Sequence, residues 1–167
     1  HNNSVKRKSG NNDGQPKERR CNCRDKAQCP MDGNCQISSI VYKATVQITG
    51  EDRQKEYIGL TEPEFKKRYG NHLTSFRHER HEKSTELSKC VWNLKRQNSE
   101  YSLGWSVIAQ TPGYSNITKR CPLCLREKLE ILQADKRVNI NKRSELVSKC
   151  RHENKYYLSK FSPSAVT

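Results

Sequence analysis

Residues 40–72, IVYKATVQITGEDRQKEYIGLTEPEFKKRYGNH, decide how this chain folds. The stretch opens with an apolar run ending in a tyrosine, Ile40-Val41-Tyr42. It turns through Gly50-Glu51-Asp52-Arg53 and resumes as Glu56-Tyr57-Ile58-Gly59. β-Branched and aromatic residues on both sides of a Gly/Asp turn predict an antiparallel hairpin. A helix is expected at once, with Thr61 as N-cap, Pro63 in the first turn and Glu64 completing a capping box. On that helix Arg68 and His72 are four apart and share a face. Phe65, Leu73 and Phe76 supply an apolar stripe beside them. Two tyrosines on paired strands are therefore set next to a helix presenting an arginine and a histidine.

A phenol, a guanidinium and an imidazole converging beside a hairpin suit a phosphodiester: one cation for the phosphate, and groups that can move protons. Each residue also has an ordinary use. Strand tyrosines pack, and helix arginines are solvated.

Outward from this stretch, residues 1–19 are rich in Asn, Lys, Ser and Gly without apolar periodicity, and read as a disordered basic arm or linker. Residues 20–37 carry Cys21, Cys23, Cys29 and Cys35 among turn formers, compatible with a tetrahedral zinc knuckle. Cys29 and Cys35 could instead recruit histidines from the first helix, such as His72, His78 or His81. That helix is expected to end near Arg80-His81. Ser84-Thr85-Glu86 should cap a second one, Leu87 to Arg96, with Leu87, Val91 and Leu94 at helical spacing and Trp92 also in the core. Cys90 reads as a buried or spare thiol. Residues 101–111 alternate as a third strand, with Leu103, Trp105 and Val107 on one face and Pro112-Gly113 as its stop. A last helix runs from Cys121-Pro-Leu-Cys124 to about Ala134, with Leu125, Leu129 and Leu132 as its buried stripe and Glu127 on a different face. Cys121, Cys124, Cys150 and His152 form a second plausible zinc set. Residues 158–167 read as a frayed tail.

The bulk properties agree with a small core. The chain has 167 residues, of which 32% are hydrophobic, against about 45–50% in an average domain. Its formal net charge of +14 favours a polyanionic partner, nucleic acid above all. No apolar run approaches the roughly 18 residues that cross a bilayer, and no basic amphipathic helix with a continuous apolar face stands out, so no membrane partner is expected. Eight cysteines without a secretory signal point to metal ligation rather than disulfides. A chain that opens on His1 rather than Met is expected to be processed, or a segment of a larger protein.

The stretch resembles the core of GIY-YIG nucleases. The second signature, Tyr57-Ile58-Gly59, is intact, the first is degenerate as Ile40-Val41-Tyr42, and Arg68 falls at the expected offset. Further blocks are similar to the endonuclease domain of Penelope-like retroelements: CPMDGNC (29–35), Asn71-His72 with Ser75-Phe76, TELSK (85–89), CPLCLREK (121–128) and NKRSEL (141–146). They occur in the right order and cover roughly residues 20 to 157. The resemblance implies an α+β fold, a small three-stranded antiparallel sheet flanked by helices, with zinc-stapled additions at both ends. The expected division is a basic arm (1–19), a cysteine knuckle (20–37), a nuclease domain (38–157) and a tail (158–167).

It also implies roles. Such enzymes place a single metal-binding carboxylate on a helix followed after about fifteen residues by an asparagine. Glu127 and Asn141 are fourteen apart, and Glu130 is a rival without that match. Glu127 would hold Mg2+ (or Mn2+), Arg68 would neutralise the phosphate, and a tyrosine, Tyr57 before Tyr42, would assist the attacking water. His72 would relay the proton or orient the phosphate, Asn141 would position Glu127, and Lys66, Lys67, Lys142 and Arg143 would meet the DNA backbone. The zinc motif described for such domains is Cys-Cys-His-His, which suits the mixed ligand set. In a retroelement the cut nicks target DNA in the nucleus and exposes a 3′ hydroxyl for primed reverse transcription. Element RNA would be engaged through an upstream reverse transcriptase domain. Two other readings share the basic and cysteine features: an inactive zinc-stabilised nucleic-acid-binding module, and a repair or junction nuclease of the same chemistry.

Overall fold

The computed structural model describes residues 20–142. The arm 1–19, Arg143, Cys150, His152 and the tail 158–167 lie outside the described residues. The order is β1 (Ile40–Ile48), β2 (Lys55–Thr61), α1 (Phe65–Arg77), a 3-10 segment (Glu79–Ser84), α2 (Glu86–Arg96), β3 (Tyr101–Gln110) and α3 (Pro122–Gln133). The three strands form one antiparallel sheet in the order β2-β1-β3, as the α+β reading expects.

β1 is central, and its alternation sorts the core onto two faces. Ile40, Tyr42, Ala44, Val46 and Ile48 pack with Tyr57 under Phe65 and Phe76 of α1 and Leu87, Val91 and Leu94 of α2. Val41, Ile58 and Leu60 turn to the other face and meet Leu123, Cys124 and Ile131 of α3. The knuckle belongs to the first cluster, where Cys29, Met31 and Cys35 are buried with Tyr42 and Phe65. Among the described residues no helix is long and apolar enough to cross a membrane.

Four local expectations are corrected. Thr61 does not cap α1: it is the last residue of β2, paired with Ile40, and its hydroxyl donates to the Pro63 carbonyl at 3.0 Å. The N-cap position falls to Glu64, which makes no side-chain cap bond. The helix stops at Arg77 because His78 is extended (φ −115°, ψ 115°), and the chain continues as the 3-10 segment, held to α2 by Arg96 at 2.8 Å from both Glu79 and Glu82.

In β3 the pairing slips between Val41 and Tyr42, which face Ala109 and Val107, leaving Ile108 as the extra residue of a bulge. Leu103 and Trp105 keep to the α1 side, but Val107 is 38% exposed, and Ile108 and Ala109 pack on the α3 side. On α3 the buried line is Leu123, Cys124, Lys128 and Ile131, while Leu129 is 39% exposed. Leu123 and Ile131 are two turns apart, and Glu127 stands midway between them on the sheet-facing side.

Where predicted caps do form they follow the sequence. Thr85 accepts the Ser88 N–H at 3.0 Å and starts α2. Beyond α3 the chain returns along the open edge of β2. Glu56 donates to Val138 and accepts from Ile140, both at 2.8 Å, so the edge is paired rather than bare.

Candidate active site

Tyr42 lies at the centre. Its hydroxyl is 2.7 Å from His72 Nε2 and accepts from Arg68 Nε at 3.0 Å. Tyr42 and Tyr57 face the same side of the hairpin, because Tyr42 pairs with Gly59 and Ala44 with Tyr57. Gly59 is what lets the phenol lie there. A Cβ on it would stand 2.6 Å from the Tyr42 hydroxyl and 3.0 Å from the Tyr57 ring. The Trp105 ring closes the group from β3, with its centroid 5.9 Å from Tyr42 and 5.3 Å from His72.

The electrostatics assign the protons. Burial pushes the Tyr42 phenol above the ordinary tyrosine range. The Tyr57 phenol adds to this, Arg68 opposes it, and the Glu127 carboxylate contributes in the same direction as Tyr57. Burial also pushes His72 down to about 3, helped by the adjacent Arg68 charge. At pH 7 the imidazole is neutral and the phenol protonated; Arg68 donates to Tyr42, and the His72 tautomer sets which way the Tyr42–Nε2 hydrogen bond runs. Burial works against the Arg68 charge, but the Tyr42 and Tyr57 phenols outweigh it and its pKa is raised.

Arg68 carries this buried group to the surface. With Asn71 it lines two clefts. One, of about 150 Å³, is shared with Leu60, Thr61, Glu62, Lys67 and Cys124. The other, of about 260 Å³, is shared with His72, Ser75, His81 and Thr85. Glu127 follows Cys124 by one helical turn, half-buried, and its charge reaches Tyr42. A single hard carboxylate is the share of ligands a protein commonly gives Mg2+, which keeps several waters and takes phosphate oxygens.

Tyr42, Tyr57, Arg68 and His72 are thus brought together, with Glu127 within electrostatic reach. Asn141 lies against the outer edge of β2. Its side-chain amide accepts the Ile58 N–H at 2.7 Å and donates to the Ile58 carbonyl at 2.8 Å, pinning β2 from the edge. Of the predicted DNA contacts, Lys67 lines the first cleft, but Lys66 is held by Asn22 at 2.6 Å. Lys142 lies apart, 3.5 Å from Glu86. Asn71, which lines both clefts, and the Trp105 ring are the contributors to the site to which sequence reasoning gave no role. Asn71 was signalled only by its place beside His72.

The four N-terminal cysteines form one group, with their sulfurs all within 4.8 Å of one another, and could hold a metal such as zinc. Sγ–Sγ distances of 3.6 Å for Cys21–Cys29, Cys23–Cys35 and Cys21–Cys35 match the edge of a tetrahedron with Zn–S near 2.3 Å. Burial opposes ionisation of Cys29, yet the Met31 and Gly33 N–H groups draw it down to about 6. Burial and the neighbouring thiols push Cys35 up to about 12. Crowded thiols of this kind gain most from a divalent cation. Among the described residues no histidine joins the group: His72 is committed to Tyr42, and His78 and His81 face each other at 6.4 Å. Cys121 and Cys124 are buried at the start of α3, and their predicted partners Cys150 and His152 lie outside the described residues. Comparison of the chain with family models, curated proteins and solved structures found no match.

Proposed function

We propose that this chain is a metal-dependent DNA endonuclease of the GIY-YIG kind, nicking target DNA for a Penelope-like retroelement in the nucleus. The observation that carries the reading is the Tyr42 hydroxyl held between His72 Nε2 at 2.7 Å and Arg68 Nε at 3.0 Å, with Tyr57 on the same face of the hairpin and the Glu127 charge of α3 within electrostatic reach. Arg68 reaches from this buried pair to both clefts and neutralises the non-bridging oxygens of the scissile phosphate. Tyr42, protonated and hydrogen-bonded on both sides, fixes the guanidinium and passes polarity to His72 rather than acting as base. Tyr57, the less buried phenol on the same face, assists the attacking water. Glu127 would hold Mg2+ or Mn2+, which supplies Lewis-acid stabilisation of the leaving 3′ oxygen. Zinc at the four-cysteine group is structural.

A second reading rests on the near-complete burial of Tyr42 and His72, 0% and 1% exposed: a core hydrogen bond in a zinc-stabilised binding module. Supercoiled plasmid with Mg2+ separates the two. Nicking by the native chain, lost at least about a hundredfold in Glu127→Ala with zinc content unchanged, supports the nuclease. Tight DNA binding with no nicking by either chain supports the module.

A further inference from the structure

Helix α1 carries both Arg68 and His72, yet it starts without a cap of its own. Glu64 makes no side-chain cap bond, and no acidic residue stands in the first turn. The orphan N–H groups there are taken from outside the helix, by the knuckle. Phe65 N–H donates to the Ile37 carbonyl and Lys66 N–H to the Cys35 carbonyl, both at 2.8 Å. Lys66 Nζ is tied to Asn22 at 2.6 Å, between Cys21 and Cys23, and Gln36 N–H closes the loop onto the Arg20 carbonyl at 2.9 Å. One of these acceptors is therefore the backbone of a cysteine whose sulfur lies in the metal-ligating group.

We infer that the metal held by Cys21, Cys23, Cys29 and Cys35 acts as the N-terminal cap of α1, and so is a positioning device for Arg68 and His72. The inference rests on the proposed site, but its structural part stands apart from nuclease activity. Two physical effects combine. Closing the tetrathiolate fixes the Cys35 and Ile37 carbonyls where the first-turn N–H groups need them. Zinc with four thiolates also carries a net charge of about −2, placed at the positive end of a helix that begins with Lys66 and Lys67. Arg68 lies within the first turn or so, where fraying is felt first, and His72 one turn beyond.

Residue-resolved amide exchange on the full chain tests this, with Zn2+ bound and after its removal by a chelator. Removal should speed exchange at Phe65 and Lys66 by about tenfold or more and broaden the His72 ring signals, while amides in the middle of α3 change by less than about twofold. Glu64→Asp, which gives α1 its own side-chain cap, should restore much of the protection in the metal-free chain. Unchanged exchange at Phe65 and Lys66 overturns the inference. So does an equal loss throughout α3, because the metal would then hold the whole fold rather than one helix end. If the exchange pattern holds but the zinc-loaded chain nicks nothing, the cap stands and the nuclease reading falls.

Discussion

At the scale of single residues, the site depends on one missing side chain and one neutral ring. Gly59 is there because the Tyr42 ring crosses it, and the nearest atom to an added Cβ belongs to a fully buried phenol that has nowhere to move. Gly59→Ala should therefore destabilise by about 1–3 kcal/mol, as overpacking does, and shift the Tyr42 ring signals. Thermal unfolding with aromatic spectra checks both. His72 predicts an acid sensitivity. Its folded pKa of about 3 lies below the roughly 6.5 of an unfolded histidine, so between these values the unfolded chain binds a proton that the folded chain does not. Stability contributed by neutral His72 is complete above that window and falls as pH drops through it. The slope of unfolding free energy against pH between about 6.5 and 3 should be shallower in His72→Gln than in the native chain. Equal slopes would mean that the ring is not held neutral by burial.

At the scale of elements, the edge of β2 matters most, because it carries Tyr57 and Gly59. Asn141 imitates a strand residue there, satisfying both the N–H and the carbonyl of Ile58 with one amide. Asn141→Ala leaves both groups short of partners and should cost about 1–3 kcal/mol, with exchange rising at Ile58 before it rises in β1. A loss confined to α3, with β2 unaffected, would contradict this and favour the sequence expectation that Asn141 supports Glu127. The two helical layers also differ in kind. α1 and α2 cover the aromatic side of the sheet, and α3 brings a carboxylate and two cysteines to the other side.

At the scale of the molecule, a formal charge of +14 on 167 residues predicts an affinity for DNA that is mostly electrostatic. Plotted as log Kd against log salt, binding to a random duplex should have a slope of several units. Lys67→Ala should lower that slope by about one without changing sequence preference. A flat salt response would argue against phosphate contacts altogether.

The sequence by itself determined the hairpin, the order of strands and main helices, the Thr85 cap and the second helix, and it put four cysteines close together while leaving histidines open as ligands. These rest on alternation, on spacings of three and four, and on thiols close along the chain, all of which are local. Only the tertiary structure decided the rest. The Tyr42–His72 bond spans 30 residues and the Asn141–Ile58 pair 83, so no local pattern reports them. Thr61 is as good a cap as Thr85 when read locally, but β2 claims it as a strand residue and the knuckle supplies the cap instead. The leucines of α3 repeat as regularly as a buried stripe should. Docking against Val41, Ile58 and Leu60 chose the adjacent face, and with it turned Glu127 toward the sheet.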